Sequence, residues 1–338
     1  MADIDLNTEM TSFHRSEVTL CKSDQDEMRA RRDAGRTRLG KGLADSGYSP
    51  PSKMASQGSY AMRTMVQDDE CDYDIDDGAY FLESDLIDTS GKSLSPLAAR
   101  QRVCEALKRD ERLKHDPEIK RNCVRQNYPQ GYHIDVPVYR VVQTRSTNGV
   151  VAAHYELASG DDWVLSDACA VTSWYNQIVG QLNTGESDGS QMRRVTKLTK
   201  KLARSRLVWK DKVASGICIT KLVVDHFQPE TDRDDLALRK TWIAIKSSLD
   251  HSSVVAHPVL VDTNLAEEGD STVVFFKEHL SDVLDRLGVL DAPDCTRILA
   301  REAWDYVFDT RFFSEQSGSS STTSFQTARR NDGGGRFG

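Results

Sequence analysis

The spacing of apolar and polar positions changes about halfway along the chain. Residues 23–46 are rich in Arg, Ala and Met and open with Ser23 followed by Asp26, which predicts a capped first helix. The turn signal Gly47-Tyr48-Ser49-Pro50-Pro51 ends it. Strands are expected over 57–66, 72–82 and 132–143, and Pro137 in the last argues for an edge strand or a bulge. Between them Ser95-Pro96, a cap followed by Pro at the first helical position, starts a helix with Val103 and Leu107 on its apolar face.

From about residue 167 the period becomes helical. Helices are expected over 167–183, 190–209, 215–227, 233–249, 276–288 and 295–308; Leu280, Val283, Leu284 and Leu287 show the 3.6-residue repeat. The pattern predicts a mixed α/β unit over 1–165, a helical unit over 166–313, and a disordered Ser/Thr/Gly-rich tail over 314–338. No internal repeat is visible. The length of 338 residues suits two domains, each large enough to bury a core.

No apolar run approaches the ~18 residues of a membrane span, and the N-terminus has no signal-peptide pattern. Seven scattered cysteines without a CxxC pair exclude a disulfide framework and a zinc site, and they predict a reduced, cytoplasmic protein. Charge says more once it is placed. The net −8 arises in one window: residues 67–88 hold ten carboxylates and no Lys or Arg, so the rest of the chain sums to +2. Residues 193–212 carry nine Lys/Arg against one Asp, a local +8. An acidic segment and a basic helix together suit a metal-dependent site for a multiply charged anion, or else two solvated surfaces.

Two motifs fail. Gly35-Arg-Thr-Arg-Leu-Gly40-Lys41 opens like a phosphate loop, but it ends in Gly42 rather than Ser/Thr and lies in a helical pattern with no preceding strand. The stretch from Asp72 to Glu83 imitates an EF-hand, but its sixth position is Asp77 where the turn needs Gly. The histidines form no HxH or HExxH, and GxSxG is absent, so zinc and Ser-His-Asp hydrolase readings lack support.

Three pieces survive. Gln57-Gly58-Ser59 is a small turn whose backbone can approach phosphate closely, with the Ser hydroxyl beside it. Asp74 and Asp76, two apart on a strand, point to one face and can grip common metal ions, while Ile75 points into the core. Asp135 lies in an otherwise apolar strand, where a carboxylate is costly unless paired or metal-bound. Together they form the pattern of a two-metal nucleotidyltransferase.

These residues, with Gln57-Gly58-Ser59-Tyr60 through Thr64, Asp74-Ile-Asp76-Asp77-Gly78 and His133-Ile-Asp135-Val-Pro-Val-Tyr139, resemble the bacterial cGAS/DncV-like nucleotidyltransferases, the CD-NTases. The resemblance extends over about 12–310 and includes Cys123-Val-Arg125, Trp163 to Asp167, Trp174-Tyr175 and Ser215-Gly216. It implies an α+β fold: a polymerase-β-like core with a mixed sheet and long N-terminal helix, joined to a helical, OAS-like domain across the active-site cleft. It also implies synthesis of cyclic di- or trinucleotides from NTPs in anti-phage (CBASS) defence, with a purine cyclic dinucleotide such as cyclic GMP–AMP favoured. Asp74, Asp76 and Asp135 would bind two Mg²⁺, or Mn²⁺. Gln57, Gly58 and Ser59 would meet the donor nucleotide, and Arg125, Lys200 and Ser215 its triphosphate or the second nucleotide; a one-turn slip would exchange Lys200 with Lys197 or Lys201. Asp135 would serve as general base or act through the shared metal. The terminal Gly338 resembles the end of relatives joined to targets by E1/E2-like conjugating partners, and a downstream effector would sense the product. No membrane or specific nucleic-acid partner is expected. A nucleotidyltransferase acting on RNA or protein, and a non-enzymatic metal-binding protein, remain open alternatives.

Overall fold

The computed structural model describes residues 4–68, 73–109, 113–145, 151–182 and 190–316. In chain order its elements are α1 (Asn7–Phe13), a π-helical turn (His14–Val18), α2 (Lys22–Asp45), β1 (Lys53–Gln57), α3 (Gly58–Ala61), β2 (Asp74–Leu82), α4 (Pro96–Lys108), β3 (Glu118–Ile119), β4 (Val124–Asn127), β5 (His133–Val136), β6 (Val138–Arg145), β7 (Val151–Ser159) and β8 (Asp162–Leu165). The helical half follows: α5 (Ala168–Leu182), α6 (Gln191–Ala203), α7 (Gly216–His226), α8 (Asp234–Leu249), the hairpin β9 (Val255–Ala256) and β10 (Asn264–Ala266), α9 (Ser271–Leu287) and α10 (Arg297–Phe308).

The fold is α+β, with a mixed eight-stranded sheet. β2 runs parallel to β5 and β6 in one unbroken register (Asp74↔His133, Asp76↔Asp135, Ala79↔Val138) and antiparallel to β1 (Gln57↔Asp76). β5 and β6 are therefore one strand path interrupted at Pro137. The expected edge position is not found: β2 flanks this path on one side, and on the other the neighbour changes from β4 to β7 around the proline. The proline falls where a break in pairing costs least.

Three further expectations are corrected. The strand expected over 57–66 lies earlier, at 53–57; Gly58 turns the chain with φ +64°, and a helical turn replaces the strand. Ser23 lies inside the first turn of α2 and does not cap it, since the helix starts after Cys21 with no side-chain cap. The basic helix ends at Ala203, not 209, and a 3₁₀ turn (Leu207–Trp209) follows. Ser95 caps α4 as its sequence predicts, accepting from the Ala98 amide at 3.2 Å.

α2 and α4 cover one face of the sheet, burying Leu39, Leu43, Val103 and Leu107 against Phe81, Val124 and Val138. The failed phosphate-loop motif finds its meaning here. A Cβ on Gly42 would lie 2.0 Å from the Ala106 carbonyl oxygen, so the glycine lets the two helices touch backbone to backbone. A second core joins Val195, Leu198 and Leu202 of α6 to Trp242, Trp304 and Phe308. Leu6, Met10, Phe13 and Val18 also lie in it, so the N-terminal segment, counted by sequence with the first half, packs on the second.

Candidate active site

Between sheet and helical half lies a cleft of about 1020 Å³. Asp74, Asp76, Asp135, Gln57, Gly58, Ser59, Arg125, Lys200 and Ser215 all line it. Gly338 lies outside the described residues.

Strand register builds the acidic wall. β2 and β5 pair Asp74 with His133 and Asp76 with Asp135. Alternation turns all four to one face and leaves Ile75 and Ile134 in the core beneath. Ligating atoms of Asp74, His133 and Asp135 lie within 4.8 Å of one another. His133 Nε2 stands 3.8 Å from both Asp74 Oδ2 and Asp135 Oδ2. Burial, and then Asp135, pushes the Asp74 carboxyl above its ordinary range; burial, with Asp74 and Asp135 beside it, pushes Asp76 well above. Arg125, opposite Asp135 on β4, donates to it twice, from Nε at 2.9 Å and from Nη2 at 2.8 Å.

The turn after β1 presses on this wall. A Cβ on Gly58 would lie 2.3 Å from Asp76 Oδ2, so only glycine brings the backbone so close to the carboxylate. The Gln57 side chain is engaged below the cleft: Nε2 donates to Tyr139 Oη at 2.9 Å, and Oε1 accepts from Tyr80 Oη at 3.1 Å. Those tyrosine rings stack at 4.5 Å and floor the turn. Thr64, fully buried, closes it through its amide to the Ser59 carbonyl at 2.8 Å.

Across the cleft stand Lys200, Lys201 and Arg204 of α6 and its extension. Lys197 does not line the cleft; its Nζ donates to Thr19 Oγ1 at 3.4 Å. Lys200 is 7% exposed and donates to Thr64 Oγ1 at 3.0 Å, joining helical half to core. Burial, aided by Arg204, lowers its pKa to about 7. Ser215 caps α7, its Oγ accepting from the Cys218 amide at 3.3 Å. His133 and Thr64 were not singled out as site residues by their sequence. His133 has a signal, two residues before Asp135 on one strand; Thr64 ends the stretch that carries the family resemblance, but its contact with Lys200, 136 residues away, has no local trace.

Three carboxylates converge here with one paired arginine, and two of them are shifted upward by burial and by the neighbouring carboxylates. This hard-oxygen, electron-rich set fits Mg²⁺ or Mn²⁺. The opposite wall offers cations at the spacing of a helix face. One wall can hold metal and the other phosphate.

Residues 52–139 match the family model described as cyclic GMP-AMP synthase DncV-like, nucleotidyltransferase domain. Among solved structures, Vibrio cholerae DncV cyclic AMP-GMP synthase in complex with nonhydrolyzable GTP superposes with a TM-score of 0.69 at 16% identity, covering 91% of this chain and 96% of that one. The same enzyme with the linear intermediate 5′ pppA(3′,5′)pG gives 0.69 at 16% identity, with 91% and 97% covered. E. coli MS115-1 CdnC with ATP gives 0.66 at 16% identity, with 92% and 99% covered. At such identity these likenesses establish the fold, while the family match makes residues 52–139 a DncV-like nucleotidyltransferase domain.

Proposed function

We propose that this chain, which carries the nucleotidyltransferase domain and fold of the CD-NTases, condenses NTPs into a cyclic oligonucleotide second messenger. The observation that carries the reading is the convergence of Asp74, Asp76 and Asp135 beside Gly58, opposite Lys200 and Arg204, in one cleft. Asp74, Asp76 and Asp135 would hold Mg²⁺ or Mn²⁺, which when bound supplies charge for the leaving pyrophosphate and lowers the pKa of the attacking hydroxyl. Arg125 fixes Asp135 by its two-pronged contact. Lys200, Lys201 and Arg204 face triphosphate as cations, and the Gly58 backbone and Ser59 hydroxyl hold its oxygens. A cleft of this size takes two nucleotides, so the linear intermediate can be repositioned and closed in one site.

The product we favour is a purine cyclic dinucleotide, cyclic GMP–AMP first, in anti-phage defence. The linear pppA(3′,5′)pG held by the Vibrio relative supports it. Conjugation through Gly338 and a downstream effector belong to the same proposal; CdnC has been solved with a HORMA protein, which supports protein partners in this fold group. Among the described residues no helix is long and apolar enough to cross a membrane.

The test is incubation with the four labelled NTPs and Mg²⁺ or Mn²⁺, followed by phosphatase and chromatography. A phosphatase-resistant product is expected, falling at least ~10³-fold in the Asp74→Asn/Asp76→Asn double variant. Product formation surviving in that variant would overturn the assignment.

A further inference from the structure

We propose that His257 reads the base of a bound nucleotide, donating from Nε2 to the N7 acceptor of a purine; the inference rests on the nucleotidyltransferase reading of the cleft and deepens it. His257 follows β9 in the hairpin that packs on α7, and its own amide closes that hairpin by donating to the Thr263 carbonyl at 2.8 Å. Beyond Pro258 the chain folds back over the ring. The amides of Val259 and Leu260 both donate to His257 Nδ1, at 3.2 and 3.0 Å. A backbone N–H can only donate, so Nδ1 must carry the lone pair and the ring proton must sit on Nε2. Two contacts thereby fix both the ring's orientation and its tautomer. Protonating Nδ1 would break both, and burial also pushes the imidazole pKa down.

The half-buried ring lines the cleft, and among the described residues Nε2 has no hydrogen-bond partner. A residue of the cleft wall therefore carries a rigid, neutral, directional N–H. The phosphate oxygens are already matched by Lys200, Lys201 and Arg204, for which a neutral donor is a poor substitute. A ribose hydroxyl both donates and accepts, so it gives such a group little to select. Purines present N7 as a bare acceptor on an open edge, where pyrimidines carry only C–H at C5. One such hydrogen bond in a desolvated site discriminates by roughly tenfold.

The experiment compares kcat/KM for ATP and GTP with that for 7-deaza-ATP and 7-deaza-GTP, in the wild type, His257→Leu and His257→Gln. For the wild type we expect a loss of roughly tenfold with the deaza analogue of at least one purine. His257→Leu should treat analogue and parent alike, and His257→Gln, whose amide N–H can take the place of Nε2–H, should recover part of the discrimination. The wild-type arm needs no variant, and melting temperatures check that His257→Leu folds. Equal use of deaza and parent nucleotides by the wild type, or unchanged discrimination in His257→Leu, overturns the role of His257 and leaves the enzyme reading intact. If His257→Leu instead loses its preference against 2′-deoxy-NTPs, the contact is to ribose and the base assignment is wrong. If the wild type turns over no NTP, the nucleotidyltransferase reading fails and takes this inference with it.

Discussion

At the scale of single residues, strand alternation sorts the carboxylates of the acidic window. Asp74 and Asp76 face the cleft, whereas Asp77, one residue on, is buried against α2 and takes two hydrogen bonds from Arg36, at 2.7 and 2.5 Å. Glu83 turns to Arg140. Within β2 the carboxylates thus split by parity, Asp74 and Asp76 to the site and Asp77 to the scaffold. Lys200 offers a sharper test. Its folded pKa of about 7 lies below the ordinary 10.5, so the unfolded chain binds the extra proton between those values. Stability conferred by the rest of the fold should therefore rise with pH from about 7 to 10.5. Lys200→Met should melt higher at pH 7 and lose that rise, while its affinity for a nonhydrolysable NTP falls about tenfold; thermal melts across pH and calorimetric titration read both. Gly58→Ala should fold but lose at least ~10²-fold in turnover, because its Cβ would meet Asp76 Oδ2 at 2.3 Å and its φ is +64°.

At the scale of elements, the strand carrying Asp74 and Asp76 and the capped α4 are legible because local signals and periodicity agree there, and the long helix is legible from its composition alone. The error at 57–66 arose where they diverge: the apolar residues after Gly58 suit a strand, but a positive φ sends the backbone into a helical turn. Short strands such as β4, which brings Arg125 to Asp135, left no readable alternation in four residues. Gly42 is likewise invisible as a packing residue until α4 is placed against it. Gly42→Val should destabilise the protein by about 2–3 kcal/mol through overpacking on Ala106, measured by urea unfolding, whereas Gly40→Ala, with nothing within 4 Å of its Cβ position, should be neutral or stabilising.

At the scale of the molecule, the N-terminal segment fastens the helical half. Glu9 of α1 is 5% exposed and accepts from Arg301 Nη2 at 2.8 Å and Arg297 Nη2 at 2.5 Å. Burial alone would raise its carboxyl, but the hydrogen bonds from Arg301 and Arg297 outweigh it and hold the pKa below the ordinary 4.5. A depressed carboxyl stabilises the fold fully above pH 4.5, and that contribution fades as pH falls through the lower folded value. Glu9→Ala should cost about 3 kcal/mol at pH 7 by leaving Arg301 without its carboxylate. The gap between wild type and variant in urea midpoint should hold above pH 5 and shrink below pH 4.5.

The amino-acid sequence by itself determined the α+β class, the placing of Asp74 and Asp76 on one face of a strand, the Gly58-Ser59 turn and the excess of positive charge on α6. These depend on neighbours a few residues apart, through backbone conformation and the alternation of a strand. Tertiary structure alone decided that Lys200 and Lys201 but not Lys197 line the cleft, that Arg125 grips Asp135, that Thr64 holds Lys200, and that Leu6, Met10, Phe13 and Val18 belong to the helical core. Each of these is a contact between distant segments, set by how helices and sheet pack, and neither composition nor periodicity encodes that geometry.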